Sequence, residues 1–208
     1  MNIYLIRHGR QSSSLCNVNV GLAEEGYRQA DLLGKRMASY HIDALYSSHL
    51  IRAIETAEVI NQYVKQQHMI RNDICEISFG ALEGNTDDYI MENYFDFKTE
   101  QMKLEEDIAY PGGECGADVY KRAMNTIDEI IKSSKHNVAV VTHGGVIRSL
   151  IAGLLGIDMN KKLLFGVSLE NSSITQLIYD ANYKRFYLQR FNDYSHLEVE
   201  PELLRRNW

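Results

Sequence analysis

The sequence predicts an α/β layered domain with a largely parallel central sheet, and three observations carry that expectation. Segments of strand and helix character alternate along the chain, as they do where helices cover the faces of a parallel sheet. Val138-Ala139-Val140-Val141 is an uninterrupted apolar run, the pattern of a strand covered on both sides. A length of 208 residues suits one domain and buries enough apolar surface to need no disulfide staples.

The elements follow in order. Asn2–Ile6 is a short apolar strand. A helix opens at Leu22-Ala23-Glu24-Glu25-Gly26, with Tyr27, Ala30, Leu33 and Met37 at helical spacing. Ile42–Ser47 is a second strand, and Leu50, Ile54, Ala57, Ile60 and Val64 mark a second helix. Residues 85–110 carry eight acids against Lys98 and Lys103, a net charge of −6, together with five aromatic residues; this segment is expected to be a helical insertion lying over a site. Val119, Ala123, Ile127, Ile130 and Ile131 mark a further helix, Asn137–Thr142 the central strand, and Val146–Leu155 another helix. Ile174–Tyr179 and Arg185–Arg190, separated by Asp180-Ala181-Asn182, form a hairpin. The polar tail, about 192–208, is expected to be loosely docked.

Composition excludes several function classes. Apolar residues make up 45% and charged residues 24%, ordinary for a globular chain, and no apolar run approaches the ~18 residues of a membrane span. With 22 Lys plus Arg against 28 Asp plus Glu, the net charge of −6 leaves no broad basic face for nucleic acid. Cys16, Cys75 and Cys115 are odd in number and far apart, so they read as reduced thiols. The N-terminus has no signal-like block, and cytoplasmic residence is expected. His41, His49, His68, His136 and His196 lack ligand spacing, so neither a metal nor another cofactor is expected.

Chemistry is expected beyond the carboxyl ends of the parallel strands. The first strand runs into Arg7-His8-Gly9 and the central strand into Thr142-His143-Gly144-Gly145. Each histidine is followed by a glycine, which lets the backbone turn sharply. The helix after Gly145 points its free N–H groups back at the same spot, favouring an anion. Arg7 adjoins His8, and Arg52 lies early in the helix that starts on the same edge. A lone histidine or arginine is ordinarily a core or surface residue. Two histidines at equivalent strand ends, with two guanidinium groups that grip phosphate oxygens in pairs, suit a phosphoryl group.

These blocks resemble the histidine phosphatase superfamily, with its phosphoglycerate-mutase-like fold. Besides Arg7-His8-Gly9, the resemblance rests on residues 22–30, on Tyr46–Ala57 with Arg52, on Glu76–Gly84, on Pro111-Gly112-Gly113-Glu114 and on Val141–Gly145, colinear over about residues 1–156. It implies a three-layer sandwich with a small helical cap. It implies that His8 is the nucleophile and carries a phosphohistidine, that Arg7, Arg52 and His143 bind the phosphoryl oxygens, and that Glu76 is the general acid and then the base. Glu83 is the rival for that role and Glu114 a distant third. A neutral imidazole is needed for attack, and nearby arginines push its pKa down. A cationic clamp can carry phosphoryl transfer without a metal.

The chain departs from the family pattern, which commonly has Gly-Glu-Thr after the histidine and an asparagine six residues beyond it. Here Gly9 is followed by Arg10-Gln11-Ser12-Ser13-Ser14. Ser14, Asn17 and Gly144 are therefore the expected substrate-side contacts, with Asn19 competing for the asparagine's place, and Arg10 is expected to be a solvated charge. The favoured activity is metal-independent hydrolysis of a small phosphorylated metabolite. The alternatives are a cofactor-dependent phosphoglycerate mutase, disfavoured because the acidic insertion would repel polyanions, and a non-catalytic phospho-ligand binder. Sugar phosphates, nucleotide-like monoesters and α-ribazole phosphate stay open as substrates, as does a homodimer.

Overall fold

A computed structural model describes residues 1–205. Six strands form one mixed sheet: β1 (Asn2–Arg7), β2 (Ala44–Ser47), β3 (His68–Ile70), β4 (Asn137–Thr142), β5 (Ile174–Asp180) and β6 (Arg185–Asp193), in the order β3-β2-β4-β1-β5-β6. The pairings β2–β3, β2–β4 and β1–β4 are parallel, whereas β1–β5 and β5–β6 are antiparallel. The sequence missed β3, a three-residue strand too short for any periodicity to register.

Strand alternation sorts the core into two layers. Ile3, Leu5, Val138 and Val140 face one side, packed on α5 (Gly116–Lys132) and α6 (Gly144–Leu155) through Val119, Ile127, Ile147 and Leu150. Tyr4, Ile6, Ala139 and Val141 face the other, against α1 (Glu24–Met37) and α2 (Ile51–Val64) through Leu33, Met37, Ala57 and Ile60. The apolar run on β4 is continuous because both of its faces are covered. No helix among the described residues is long and apolar enough to cross a membrane.

The acidic segment folds as α3 (Asp87–Asn93) and α4 (Phe95–Met102), meeting at Tyr94. It docks through aromatic rings: Phe97 lies 5.4 Å from Tyr110, and Tyr110 lies 4.7 Å from Phe79.

The tail differs from the expectation. As far as Arg205 it is tightly docked; its last three residues lie outside the described ones. Leu197 and Leu203 are fully buried, and the Leu203 carbonyl accepts from Gln29 Nε2 at 2.8 Å and from Arg10 Nη2 at 2.9 Å. Arg28 pairs with Glu202 at 2.8 Å and also with Glu200. Two leucines hold down an otherwise polar segment, a signal that average polarity hides. The same contacts correct the reading of Arg10, which is tied to the tail instead of being a free solvated charge.

Backbone approach sets the loop after β1. A Cβ on Gly26 would sit 2.1 Å from the Arg10 carbonyl oxygen, and one on Gly9 would sit 2.6 Å from the Gly26 carbonyl oxygen. Gly26→Ala is therefore expected to destabilise the fold by about 1–3 kcal/mol, the range for overpacking, read as a lower urea midpoint. An unchanged midpoint would show that this crossing carries no constraint.

Candidate active site

Strand register brings the two histidines together. Arg7 is paired with Thr142 across β1 and β4, so the residues that follow, His8 and His143, leave the sheet side by side with ring centroids 5.0 Å apart. On the far side of β4, β2 ends in Ser47, and the chain turns through Ser48 into α2, which delivers Arg52 to the same point.

His8 is buried and tethered on every side. Its backbone N–H donates to the Thr142 carbonyl at 3.0 Å, and its carbonyl accepts from Asn171 Nδ2 at 2.9 Å. The Nδ1 atom lies 2.7 Å from the Gly9 carbonyl, which can only accept, so the proton resides on Nδ1. Nε2 accepts from Arg52 Nε at 3.2 Å. Burial, followed by the charges of Arg52 and Arg7, holds the His8 pKa well below its ordinary value. The ring is neutral, with its Nε2 lone pair exposed to a guanidinium.

Neither arginine of the clamp has a carboxylate partner among the described residues. Arg52 is buried, and two of its four remaining N–H donors go to the Val18 carbonyl at 3.0 Å and Asn17 Oδ1 at 2.8 Å. Arg7 donates to the Leu169 carbonyl, and its Nε is buried without a partner. Burial, then the charge of Arg205, lowers the Arg7 pKa to about 9, which leaves it charged at neutral pH. His143 is fully buried; its Nε2 lies 2.6 Å from Ser48 Oγ and its Nδ1 has no partner. Burial, then His8 and Arg52, pushes its pKa well down.

Three carboxylates competed for the acid role, and the fold separates them. Glu76 Oε1 accepts from the Gly145 N–H at 3.0 Å, at the start of α6, and from the Ile77 N–H at 2.9 Å, and Glu76 lines the cavity in front of His8. Glu83 braces loops, accepting from Asn17 Nδ2 at 3.0 Å and the Phe79 N–H at 2.9 Å. Glu114 is bound to Arg122 at 2.7 Å.

That cavity, of about 810 Å3, is walled by Arg7, His8, Arg52 and Glu76, with Ser14 and Asn17 on its rim. Asn17, at φ 48°, places its side chain between Arg52 and Glu83, whereas Asn19 Oδ1 accepts the Ile51 N–H at the start of α2. Gly144 borders a smaller adjoining cavity of about 180 Å3, which shares Arg7 and Glu76 with the first. Of the eight acids in the insertion, only Asp87 reaches either wall, so the expected repulsion of polyanions loses its basis. Four contributors escaped the sequence reading: Ser48, Asn171, Arg205, and Arg122, which holds the carbonyls of Asp73, Cys75 and Glu76. No group of three or more His, Cys, Asp or Glu side chains fit to hold a metal occurs among the described residues.

The buried histidines make stability pH-dependent. His8 and His143 have depressed pKa values in the fold, and His196 is lowered to about 4, whereas an unfolded chain has its histidines near ~6.5. The unfolded state therefore binds more protons as pH falls below that value. Stability is full above about pH 6.5 and declines below it, by up to about 1.4 kcal/mol per pH unit per histidine. Urea midpoints between pH 7 and 5 are expected to fall, and His143→Asn to flatten the slope by about one proton; an unchanged slope would mean that His143 is protonated in the fold.

Comparison with known proteins agrees with this geometry. The family model for the histidine phosphatase superfamily (branch 1) matches residues 3–194. Phosphoserine phosphatase 1 of Hydrogenobacter thermophilus is 32% identical over 158 residues, 75% of this chain and 74% of its own. A 2,3-bisphosphoglycerate-dependent phosphoglycerate mutase of Bartonella quintana is 28% identical, over 86% of this chain and 92% of its own. Among solved structures, mycobacterial glucosyl-3-phosphoglycerate phosphatase superposes with a TM-score of 0.84 at 25% identity, covering 92% of this chain and 98% of its own. Strand-end histidines, an unpaired arginine clamp and this match over most of the sequence agree: the chain belongs to the histidine phosphatase superfamily, branch 1.

Proposed function

We propose that the chain hydrolyses phosphomonoesters of small metabolites through a phosphohistidine on His8. The observation that carries this reading is the His8 ring, fixed by Gly9 in the neutral Nδ1–H form, its Nε2 held against a guanidinium that has no carboxylate partner among the described residues. A phosphoryl group entering the cavity supplies the missing anion. Arg7, Arg52 and the unpartnered His143 Nδ1 hold its oxygens. As Nε2 bonds to phosphorus, the Arg52 Nε–H transfers its hydrogen bond from the nitrogen to a phosphoryl oxygen. Glu76, across the cavity, protonates the departing alkoxide and then takes a proton from the water that cleaves the P–N bond. One carboxyl group serves both half-reactions, as microscopic reversibility allows. Its position at the first turn of α6 keeps it in place throughout.

Hydrolysis is preferred over mutase chemistry because exposed Ser12, Ser14 and Asp87 line the cavity, giving water a way in. A mutase must exclude water from its phosphoenzyme. Phosphoserine and glucosyl-3-phosphoglycerate, the substrates in the relatives' names, both carry a carboxylate near the ester, and small acids of that kind are the first substrates to try. The three free thiols fit a cytoplasmic setting.

Phosphate release from a panel of monoesters, in the presence of a chelator, tests this directly. His8→Ala is expected to abolish turnover and the acid-labile phosphoenzyme. Glu76→Gln should lower kcat by about 100-fold or more, the scale of general acid–base catalysis, with KM little changed. Near-wild-type activity of the His8 variant would sink the mechanism. Interconversion of phosphoglycerates with no free phosphate would replace hydrolysis by the mutase reading.

A further inference from the structure

The phosphoryl clamp does not exhaust the positive charge in the cavity. Two further arginines, Arg10 and Arg205, line the same wall and lie outside the clamp. Both belong to the junction between the loop after β1 and the C-terminal segment. Arg10 donates to the Leu203 carbonyl, and Arg205 follows two residues later.

Arg205 is held by a built framework. Its backbone N–H donates to Glu170 Oε2 at 3.1 Å, and Glu170 is fully buried, its Oε1 accepting from the Asn171 N–H at 3.0 Å. The guanidinium is then oriented by neutral acceptors: Nε and Nη2 reach Asn171 Oδ1 at 3.4 and 3.1 Å, and Nη1 reaches Ser168 Oγ at 3.1 Å. No carboxylate lies within ion-pair distance of it among the described residues. Three of its five N–H donors are thereby used, which leaves one on Nη1 and one on Nη2. Asn171, which orients it, also donates to the His8 carbonyl at 2.9 Å. The nucleophile and this guanidinium are thus linked through one side chain.

A half-buried guanidinium with neutral partners and two unused donors is a site for a planar anion. The phosphoryl group is already held by Arg7 and Arg52, so the anion that meets Arg205 must belong to the leaving half of the substrate. We infer that Arg205 is a specificity-determining residue for a carboxylate on the alcohol half, and that the preferred substrates are phosphorylated hydroxy acids or hydroxy amino acids. Two neighbouring donors match the two oxygens of a carboxylate. A second phosphate is the competing anion for these donors, and the test below includes it. Glu170 acts at one remove, as the residue that positions Arg205.

The assignment rests on the hydrolase reading, so its test separates the two. Released phosphate is measured for 3-phosphoglycerate and glycerol 3-phosphate, which differ by a carboxylate against a hydroxymethyl group. Wild-type protein is expected to favour 3-phosphoglycerate in kcat/KM by at least about tenfold. Arg205→Gln should lower kcat/KM on 3-phosphoglycerate by about 10–100-fold, the scale of one charge-assisted contact, with a loss on glycerol 3-phosphate at least tenfold smaller. Arg205→Lys should restore part of the preference. Turnover of glycerol 3-phosphate serves as the control for folding.

Equal losses on both esters, or none, would overturn the assignment, as would a wild-type protein indifferent to the carboxylate. A preference for fructose 1,6-bisphosphate that Arg205→Gln removes would overturn the carboxylate in favour of a second phosphate. Phosphate release from neither ester by the wild type would overturn the hydrolase reading itself, and the role of Arg205 with it.

Discussion

The structure turns on two guanidinium groups, Arg52 buried and Arg7 half-buried, that pair with no carboxylate among the described residues. Taking an arginine out of water without an ion partner is expensive, and a fold tolerates it only where neutral acceptors replace the lost hydration. Here those acceptors are the carbonyls of Leu169 and Val18, the amide oxygen of Asn17 and the lone pair of His8. A carboxylate in their place would make a more stable empty site and a worse one, because it would occupy the position that a phosphoryl group must take.

The same charges set the state of His8, the proposed nucleophile. A histidine that carried a proton on both nitrogens could not attack phosphorus, and next to Arg7 and Arg52 it would also meet two like charges. Burial and repulsion act in one direction on His8 and on His143, and the Gly9 carbonyl then decides which nitrogen keeps the proton. Geometry comes from the sheet: adjacent parallel strands ending in register place two successive strand-end residues within one phosphoryl diameter of each other, at no entropic expense when substrate arrives.

Much of this was legible in the sequence, for identifiable reasons. His8, His143, Arg7 and Arg52 sit where strand periodicity stops and a glycine or a helix start follows, so their positions were written locally. Glu76 was not: its place opposite His8 depends on Arg122 gripping three carbonyls of the loop and on the first turn of α6, both distant in the chain, and only the resemblance singled it out. Asn17 and Asn19 are equivalent in sequence and were separated only by a left-handed backbone at Asn17 and by the start of α2 at Asn19. The tail was read as loose because its composition is polar, yet two buried leucines and a buried Glu170 suffice to anchor it, and with it Arg10 and Arg205.

The acidic insertion shows why composition misleads about a site. It holds a net charge equal to that of the whole chain, which argues against anionic substrates if charge is counted without position. Seven of its acids are exposed, and the eighth, Asp107, is paired with Lys162. Exposed charges act through water, where salt confines their reach to about 8–10 Å. The cavity charges act at contact distance through a drier medium, where each is worth several times more. Four arginines on that wall therefore outweigh an acidic surface of which Asp87 alone borders the cavity. What a phosphate ester meets on arrival is decided by the few groups within one hydrogen bond of it, and the sum over the sequence has little say.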